Sequence, residues 1–595
     1  MSVAIALNNA ISGITAAQSA LSVVSQNVAN ANTEGYSKKQ VNQSSVVLGG
    51  TLNGVAVDDV TRLVNKFLNT ELTDTVSEVR KSVAISEFYQ ITQSLFGTPG
   101  SDATISNDVS DLMNSVEALA NRPEDAALRF EVAAMARNLA NTISRTAQDV
   151  QDLRFQADIE LKASVDRANE SLVRIESLND QIARGQMLGE PTGDLEDKRD
   201  LQIRKLAEEV DVRTFQRSDG KLAVFTRNGV DLVDDKRREL GYDPIATVDA
   251  NTTFNELLVF NLDTAGQRVG NGEPLVTSGV SANVTTTIRS GRISGLLEAR
   301  DSVTADLQNQ LDTLASTVRD QTNAVHNLGS GVPAPNTLTG TRALTGTDAF
   351  QSTGTVRIAV TNAAGTVVDV TDLDLGALGA TTVNGVISAV NTALSGNAVA
   401  QVTDGTLVIN ATDSANGISI NAAGTAESVT DRNFSHYFGL NDMFTGTAAV
   451  DFALRGDIES DPSRISTALL STTAAIGETA LTSGDNRSIQ AFAALSTTEF
   501  SFVAVGGLPA VSATFGNFAG SIVGLNAARA ADAESLQEHH ELIFENLDIR
   551  FRSETGVNVD EEMAEMVLYQ NAFTVSARVF TVASEMFDTL VNLGR

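Results

Sequence analysis

The chain is 595 residues long with a formal net charge of −32, 74 acidic side chains against 42 basic ones. That balance excludes a phosphate-backbone partner, because nucleic-acid binders concentrate Lys and Arg, while the length suffices for three or four domains with their own cores. There is no cysteine, which excludes thiol catalysis and cysteine-ligated zinc and suits either a reducing compartment or passage unfolded through a narrow channel.

The chain begins MSVAIALNNAISGITAAQSALSVVSQNVANANTEGYSKK, and no charged side chain precedes Glu34 although the protein is 19% charged. At that average roughly six would be expected. The stretch lacks a basic n-region, and Ser, Asn and Gln interrupt its apolar residues, so no cleaved signal is expected. No run of 18 apolar residues occurs anywhere, so no membrane insertion is expected. Val3, Leu7, Ala10, Ile14, Ala17, Leu21, Val24, Val28 and Ala31 keep the 4-3 spacing of a coiled-coil seam and predict a long helix. The rest of its surface is Ser, Asn, Gln and Thr, without the Lys or Arg of a membrane-surface helix. An uncharged amide and hydroxyl face is expected to be covered by protein, where lone charges would be costly. Copies of the same molecule are the simplest such protein.

Asn30, Ala31, Asn32, Thr33, Glu34, Gly35 and Tyr36 follow. Asn and Gly suit a helix stop with left-handed backbone angles, and Tyr36 can anchor the returning chain. From about 60 to 209 the sequence has helical period, punctuated by Pro99-Gly100 and Arg122-Pro123. The pairs Arg154/Asp158 and Glu170/Arg174, four apart, predict solvated helix faces. Residues 211–289 read as β-rich, with Asn228-Gly229 as a hairpin turn. A helix is predicted over 290–328. The segment 330–480 is rich in Thr, Gly, Ala and Val, with only nine charged residues between 331 and 430. Alternating stretches such as TVRIAVTNAAGTVVDVT predict half-buried strands there. Another helix is expected over about 518–552.

The last segment repeats the 4-3 lattice at Val559, Met563, Met566, Phe573, Ala577, Phe580, Phe587 and Val591, with Gln570 and Ser584 as polar breaks. Asn558 is a candidate N-cap with Glu561 three residues on, and Asp560 to Glu562 complement the positive helix end. Its Phe and Met knobs suit the Ala-rich seam of the first helix better than either seam suits itself, so the two ends are expected to pair. The fold class is therefore multidomain α+β. Residues 1–35 and 557–595 form a terminal coiled-coil domain, and 36–210, 290–329 and 481–556 a discontinuous helical bundle. Residues 211–289 form one β-rich insert and 330–480 a second, outer one.

Little chemistry is visible. Of His326, His436, His539 and His540, the adjacent pair points about 100° apart on a helix and reads as surface rather than as a metal clamp. The acids Asp372 and Asp374 lack calcium-loop spacing and read as loop solvation. No nucleophile elbow, phosphate loop or dinucleotide fingerprint occurs. No catalytic residue, metal or cofactor is expected, and the chain is read as structural, not an enzyme.

NVANANTEGYSKKQV and TGVNVDEEMAEMVLYQNAFTVSARVFTVASEMFDTLVNL resemble the terminal motifs of the bacterial flagellar axial proteins, which build rod, hook and hook–filament junction. Asn30, Asn32, Thr33, Gly35 and Tyr36 carry the likeness at the first turn. Residues 193–233, 290–329 and 484–495 resemble the junction branch, whereas 330–480 contributes little. The sequence after the first turn reads as helical, where a hook protein would turn to β structure. Flagellin is disfavoured for want of its N-terminal motif. The resemblance implies a structural subunit at the hook–filament junction, needed for filament assembly. It would lie outside the cell in the flagellum, exported by the flagellar type III route without a cleaved signal. The implied partners are copies of itself, the hook protein, the second hook–filament junction protein, an export chaperone and the export apparatus. It further implies that Val3–Ala31 and Val559–Val591 make the assembly contact and that β domains lie outermost. The alternatives are a hook or distal rod subunit, or an exported adhesin or hydrolase acting through 330–480.

Overall fold

A computed structural model describes residues 3–48, 51–101, 104–276, 288–379, 381–394 and 396–593. They fall into two compact units, one of residues 1–88, 154–302 and 531–595, the other of 89–153 and 303–530. Among the described residues no helix is long and apolar enough to cross a membrane, and no three His, Asp or Glu side chains are grouped to hold a metal.

The first unit opens with the helix Val3–Asn30 and contains the helices Gly193–Glu209 and Val559–Leu593. Directly after the first turn the chain forms an antiparallel hairpin of Lys39–Leu48 and Thr51–Arg62, aligned from Lys39 opposite Arg62 to Ser45 opposite Val55. This corrects the helical reading of residues 36–62, and the distinction drawn there from a hook protein falls with it. Val41, Val46, Val47, Val55, Val57 and Val60 fall among Ser, Gln, Asn and Asp without a sustained period of two, so the strands lack the alternation by which a strand is recognised. Two three-stranded antiparallel sheets follow, Val212–Gln216, Leu222–Thr226 and Asp231–Val233, then Glu239–Gly241, Leu257–Leu262 and Arg268–Val276. Asn228-Gly229 makes the predicted turn, Gly229 at φ 90° with its N–H donating to Thr226 O at 2.9 Å.

A second correction concerns Arg154 and Asp158, which do not form a solvated pair. Asp158 is fully buried and accepts hydrogen bonds from Tyr242 Oη, from Ile245 N at 2.8 Å and from Arg300 Nη1 at 2.8 Å. Arg300 also donates to Asp301 at 2.8 and 2.9 Å and lies 4.1 Å from the centre of the Phe254 ring. Arg154 instead donates to the carbonyls of Arg300 and Asp249, each at 3.1 Å. Burial opposes the Arg300 charge, yet Asp301, Tyr242 and Asp158 together hold its pKa above the ordinary value. Burial pushes the Tyr242 phenol up, so it remains a donor. Glu170 and Arg174 do form the exposed pair, at 3.9 Å.

The second unit packs the helices Ile105–Asn121 and Thr304–His326, the first part of Ala126–Leu188 and Arg487–Ala493 around Leu112, Leu119, Leu139, Leu311, Leu314 and Phe492. The same core takes in Met443, Phe444, Phe452, Ile458 and Ile465, so residues 443–465 belong with the helices rather than with an outer β domain. The remaining insert has a core of its own around Phe350, Ile358, Ile409, Phe434 and Phe438. Two three-stranded sheets enclose it: Val367–Asp374, Thr355–Asn362 and Asn416–Asn421 in one, Ala398–Thr403, Thr406–Ala411 and Thr337–Thr339 in the other. A helix absent from the sequence reading, Val383–Ala393, closes the core with Val383, Val386 and Val390. Thr382 caps it, accepting from Gly385 N.

His326 is buried in this unit. Ser466 N donates to its Nε2 at 2.9 Å, so the ring proton sits on Nδ1 and is donated to Asn441 O at 2.6 Å. Burial lowers its pKa to about 4 from 6.5, and burial with Arg432 nearby lowers His436 to about 4. The unfolded chain therefore binds protons in the window from pH 6.5 to about 4 that the folded unit refuses, and stability falls as pH falls through that window. His326 alone accounts for a loss of about 3 kcal/mol. Calorimetry at neutral and mildly acid pH should show this unit melting earlier in acid, and His326→Gln should remove His326's share of that dependence.

Candidate assembly interface

The helices Val3–Asn30 and Val559–Leu593 lie side by side and antiparallel. A Cβ on Gly13 would meet Ser576 Oγ at 2.8 Å, and Asn27 Nδ2 donates to Glu562 Oε2 at 2.9 Å. Fourteen residues separate Gly13 from Asn27, and fourteen separate Glu562 from Ser576, so these two contacts define one register along four turns. In that register Phe573 stands opposite Ala16 and Tyr569 opposite Ala20, large against small as the packing argument expects. Gly13 marks a close approach, where a side chain larger than a methyl would run into the last helix. Gly13→Ala should be tolerated because the Ser576 hydroxyl can rotate away. Gly13→Leu should force the helices apart at a cost of about 1–3 kcal/mol, read as a lower melting temperature of the assembled subunits.

On the first helix Ala10, Ala17 and Val24 of the expected seam are buried, and Val3, Leu7, Ile14, Leu21 and Val28 half-buried. Ala16, Ala20, Val23 and Asn27 are buried with them, on the side that meets the last helix, and the hairpin covers the first helix on a second side. There Ser12 Oγ accepts from Val55 N at 3.1 Å. On the last helix Met566, Phe573 and Ala577 are half-buried. However, Val559, Met563, Phe580, Phe587 and Val591 are 38–48% exposed. The stripe that faces the first helix is instead Glu562, Met566, Tyr569, Phe573, Ser576 and Ala583. The seam drawn from the sequence shares Met566 and Phe573 with this stripe and departs from it elsewhere. The reason is that apolar residues cover much of the circumference, with Leu568, Val575, Val579 and Val582 also exposed. A 4-3 pattern can be laid on several faces of such a helix.

The turn after the first helix ties both ends to the body of the unit. Thr33 N donates to Asn30 O at 2.8 Å and Tyr36 N to Thr33 O at 3.2 Å, while Asn32 is exposed. Gly35 adopts φ +77°, and a Cβ there would press on Leu201 at 3.3 Å. Tyr36 Oη donates to Asn27 Oδ1 at 2.9 Å, with Lys39 Nζ 3.5 Å above its ring centre. Burial, opposed by Lys39, raises the Tyr36 pKa. Tyr36 thus does anchor the returning chain.

Beyond the turn stands a charged cluster that the sequence reading missed. Lys38 N donates to Thr555 O at 2.8 Å, and its Nζ lies 2.8 Å from Glu562 Oε1, 3.7 Å from Glu565 and 3.8 Å from Glu561. Lys39 Nζ pairs with Asp194 at 2.6 Å and Asp197 at 3.0 Å. Ser37 Oγ donates to Asp197 at 2.6 Å, and Arg62 bonds Glu196, Asp197 and Asp200 at 2.8, 3.2 and 2.7 Å. Burial disfavours the charges of Lys38, Lys39 and Arg62, but their carboxylate partners prevail and each pKa is raised. One signal was available: Asn27 is a polar residue one helical turn from Val23 and Val24 in the otherwise apolar, small-residue stripe.

Comparison with known proteins adds family matches to three parts of the chain. "Flagellar hook-associated protein FlgK helical domain" matches residues 89–341, "Flagella basal body rod protein" residues 7–36, and "Flagellar basal body rod FlgEFG protein C-terminal" residues 552–593. Flagellar hook-associated protein 1 of Escherichia coli (strain K12) is 26% identical over 99% of both chains. That of Bacillus subtilis (strain 168) is 22% identical over 98% of this chain and 97% of its own. A solved structure of the flagellar hook junction protein FlgK from Burkholderia pseudomallei covers 81% of this chain and 100% of its own, at 15% identity and TM-score 0.47.

Proposed function

We infer that the chain, which belongs to the flagellar hook-associated protein family, is a structural subunit of the bacterial flagellum at the junction between hook and filament. The observation that carries this reading is the extent of the likeness to hook-associated protein 1, 99% of both chains. The rod-family matches at 7–36 and 552–593 add to it, since they cover the two helices that pair antiparallel. The paired ends are the part that enters the axial structure. Their exposed apolar residues, Val559, Met563, Phe580, Phe587 and Val591, are then covered by neighbouring copies and by the hook protein on one side and the second junction protein on the other. Before incorporation the ends are unfolded and travel with an export chaperone through the flagellar export apparatus, without a cleaved signal. Assembly supplies the burial that a lone amphipathic pair lacks. Cells lacking the chain should carry hooks without filaments and release filament subunits to the medium; normal filaments in such cells would refute the reading.

The insert offers a way to test the adhesin or hydrolase alternative. Thr341 N donates to Phe438 O at 3.2 Å, so residues 342–437 can be excised and the ends rejoined by a short linker without touching Met443–Ile465. On the junction reading motility survives the excision. An activity housed in the insert would vanish with it.

A further inference from the structure

We propose that Asn27 and Glu562 are positioning residues that fix the register in which the two terminal helices pair. The proposal goes beyond the junction reading, because it concerns the pair itself in whatever body the pair assembles.

The apolar part of the contact does not choose one alignment. Ala16 and Val23 stand seven residues apart on one helix, and opposite them Phe573 and Met566 seven apart on the other, with Phe580 a further seven on. Sliding either helix by a heptad therefore sets small residues against large ones again. A seam built this way has several alignments of similar packing, and something else has to separate them.

The polar contact separates them. Asn27 is 1% exposed and Glu562 0%. Asn27 Nδ2 donates to Glu562 Oε2 and to Lys39 O, both at 2.9 Å. Its Oδ1 accepts from Tyr36 Oη at 2.9 Å and Lys39 N at 3.1 Å. Two donors and two acceptor sites are all that one amide offers, and here each is used. A single side chain thereby joins the last helix, the family-motif turn and the first residue of the hairpin. The Glu562 carboxylate is matched by Lys38 Nζ at 2.8 Å, and the Lys38 backbone is itself held at Thr555 O.

Neither one-heptad slip can reproduce this. In one direction Asn27 comes opposite Tyr569, and Glu562 passes beyond the end of the first helix at Asn30. In the other Asn27 passes beyond the start of the last helix at Val559, and Glu562 comes opposite Ala20, where a buried carboxylate finds no donor. A lone polar pair in a repeating apolar seam is a known way to specify alignment at some cost in stability.

The chain has no cysteine, so register can be read by engineered disulfides in the full-length protein as it stands in flagella purified after assembly. A Cβ at position 13 lies 3.5 Å from the Cβ of Ser576, within disulfide range. Positions 569 and 583 lie one heptad away, about 10 Å along the helix, and are out of reach. Gly13→Cys is combined in turn with Ser576→Cys, Tyr569→Cys and Ala583→Cys. With Asn27 and Glu562 intact, the 13/576 disulfide should exceed each shifted one by at least about tenfold, the ratio a satisfied buried polar contact produces. In Asn27→Leu/Glu562→Leu the helices should still pair while the preference falls below about twofold. Asn27→Ala, which adds no bulk, serves as a second variant with the same expected loss, and the summed yield of the three disulfides in purified flagella reports whether the helices still pair in both. Glu562→Gln keeps an acceptor for Asn27 and should restore the preference. A merely structural contribution would lower all three yields together and leave their ratio unchanged. A ratio still near tenfold in both variants overturns the proposal. So does the absence of any preference for 13/576 in the chain that carries Asn27 and Glu562.

Discussion

Ala20→Asp should keep the chain out of the flagellum while leaving the second unit folded. Ala20 is 1% exposed and lies on the stripe of the first helix between Gly13, which meets Ser576, and Asn27, which meets Glu562. By the same register Tyr569 stands opposite it. A carboxylate placed there would be buried between the two helices, and Lys38 and Lys39, beside the Asn27–Glu562 contact, are already engaged with Glu562, Asp194 and Asp197. An uncompensated buried charge costs about 3–5 kcal/mol. The second unit, whose cores contain neither helix, should melt unchanged. Electron microscopy of cells carrying the variant should show bare hooks, and calorimetry should show the transition of the second unit intact. Filaments of normal number and length would mean that the paired ends are not what assembles.

Asp158→Ala should have a comparable effect on folding for a different reason. It removes the acceptor of three donors at once, Tyr242 Oη, Ile245 N and Arg300 Nη1, and takes from Arg300, 4% exposed, the fully buried carboxylate that faces it. Breaking a buried, hydrogen-bonded ion pair from one side costs about 3–5 kcal/mol. Glu170→Ala on the same helix is the control, because that exposed pair at 3.9 Å should contribute less than about 1 kcal/mol. Urea unfolding followed through the first unit should separate the two variants clearly. Equal midpoints would mean that the buried cluster is no more valuable than a surface pair.

The two acids also mark where a single sequence stops being informative. Glu170 and Arg174 find each other four residues apart, and local spacing predicted their pairing. Asp158 had an equally good local partner in Arg154, but its actual partner is Arg300, 142 residues away. The same holds for Asn27 and Glu562, 535 residues apart, which no periodicity connects. The terminal helices were legible because a 4-3 repeat is a property of the helix itself. The rotation of the last helix was not, because its apolar residues nearly encircle it and only the partner decides which face is used. The hairpin at 39–62 was hidden by its many polar residues. The helix at 383–393 was hidden by a composition of Thr, Gly, Ala and Val that reads as strand. Residues 443–465 were assigned by their neighbours in sequence, whereas Asn323, which donates to Phe444 O at 2.8 Å, ties them to the helices.

The most direct test uses Gly13→Cys/Ser576→Cys in flagella purified after assembly. If one chain's two ends lie antiparallel inside the mature organelle, oxidation should close a disulfide within single subunits, seen as a faster-migrating monomer in a nonreducing gel. Free thiols at both positions, or disulfides only between different subunits, would contradict the pairing on which this account of the molecule rests.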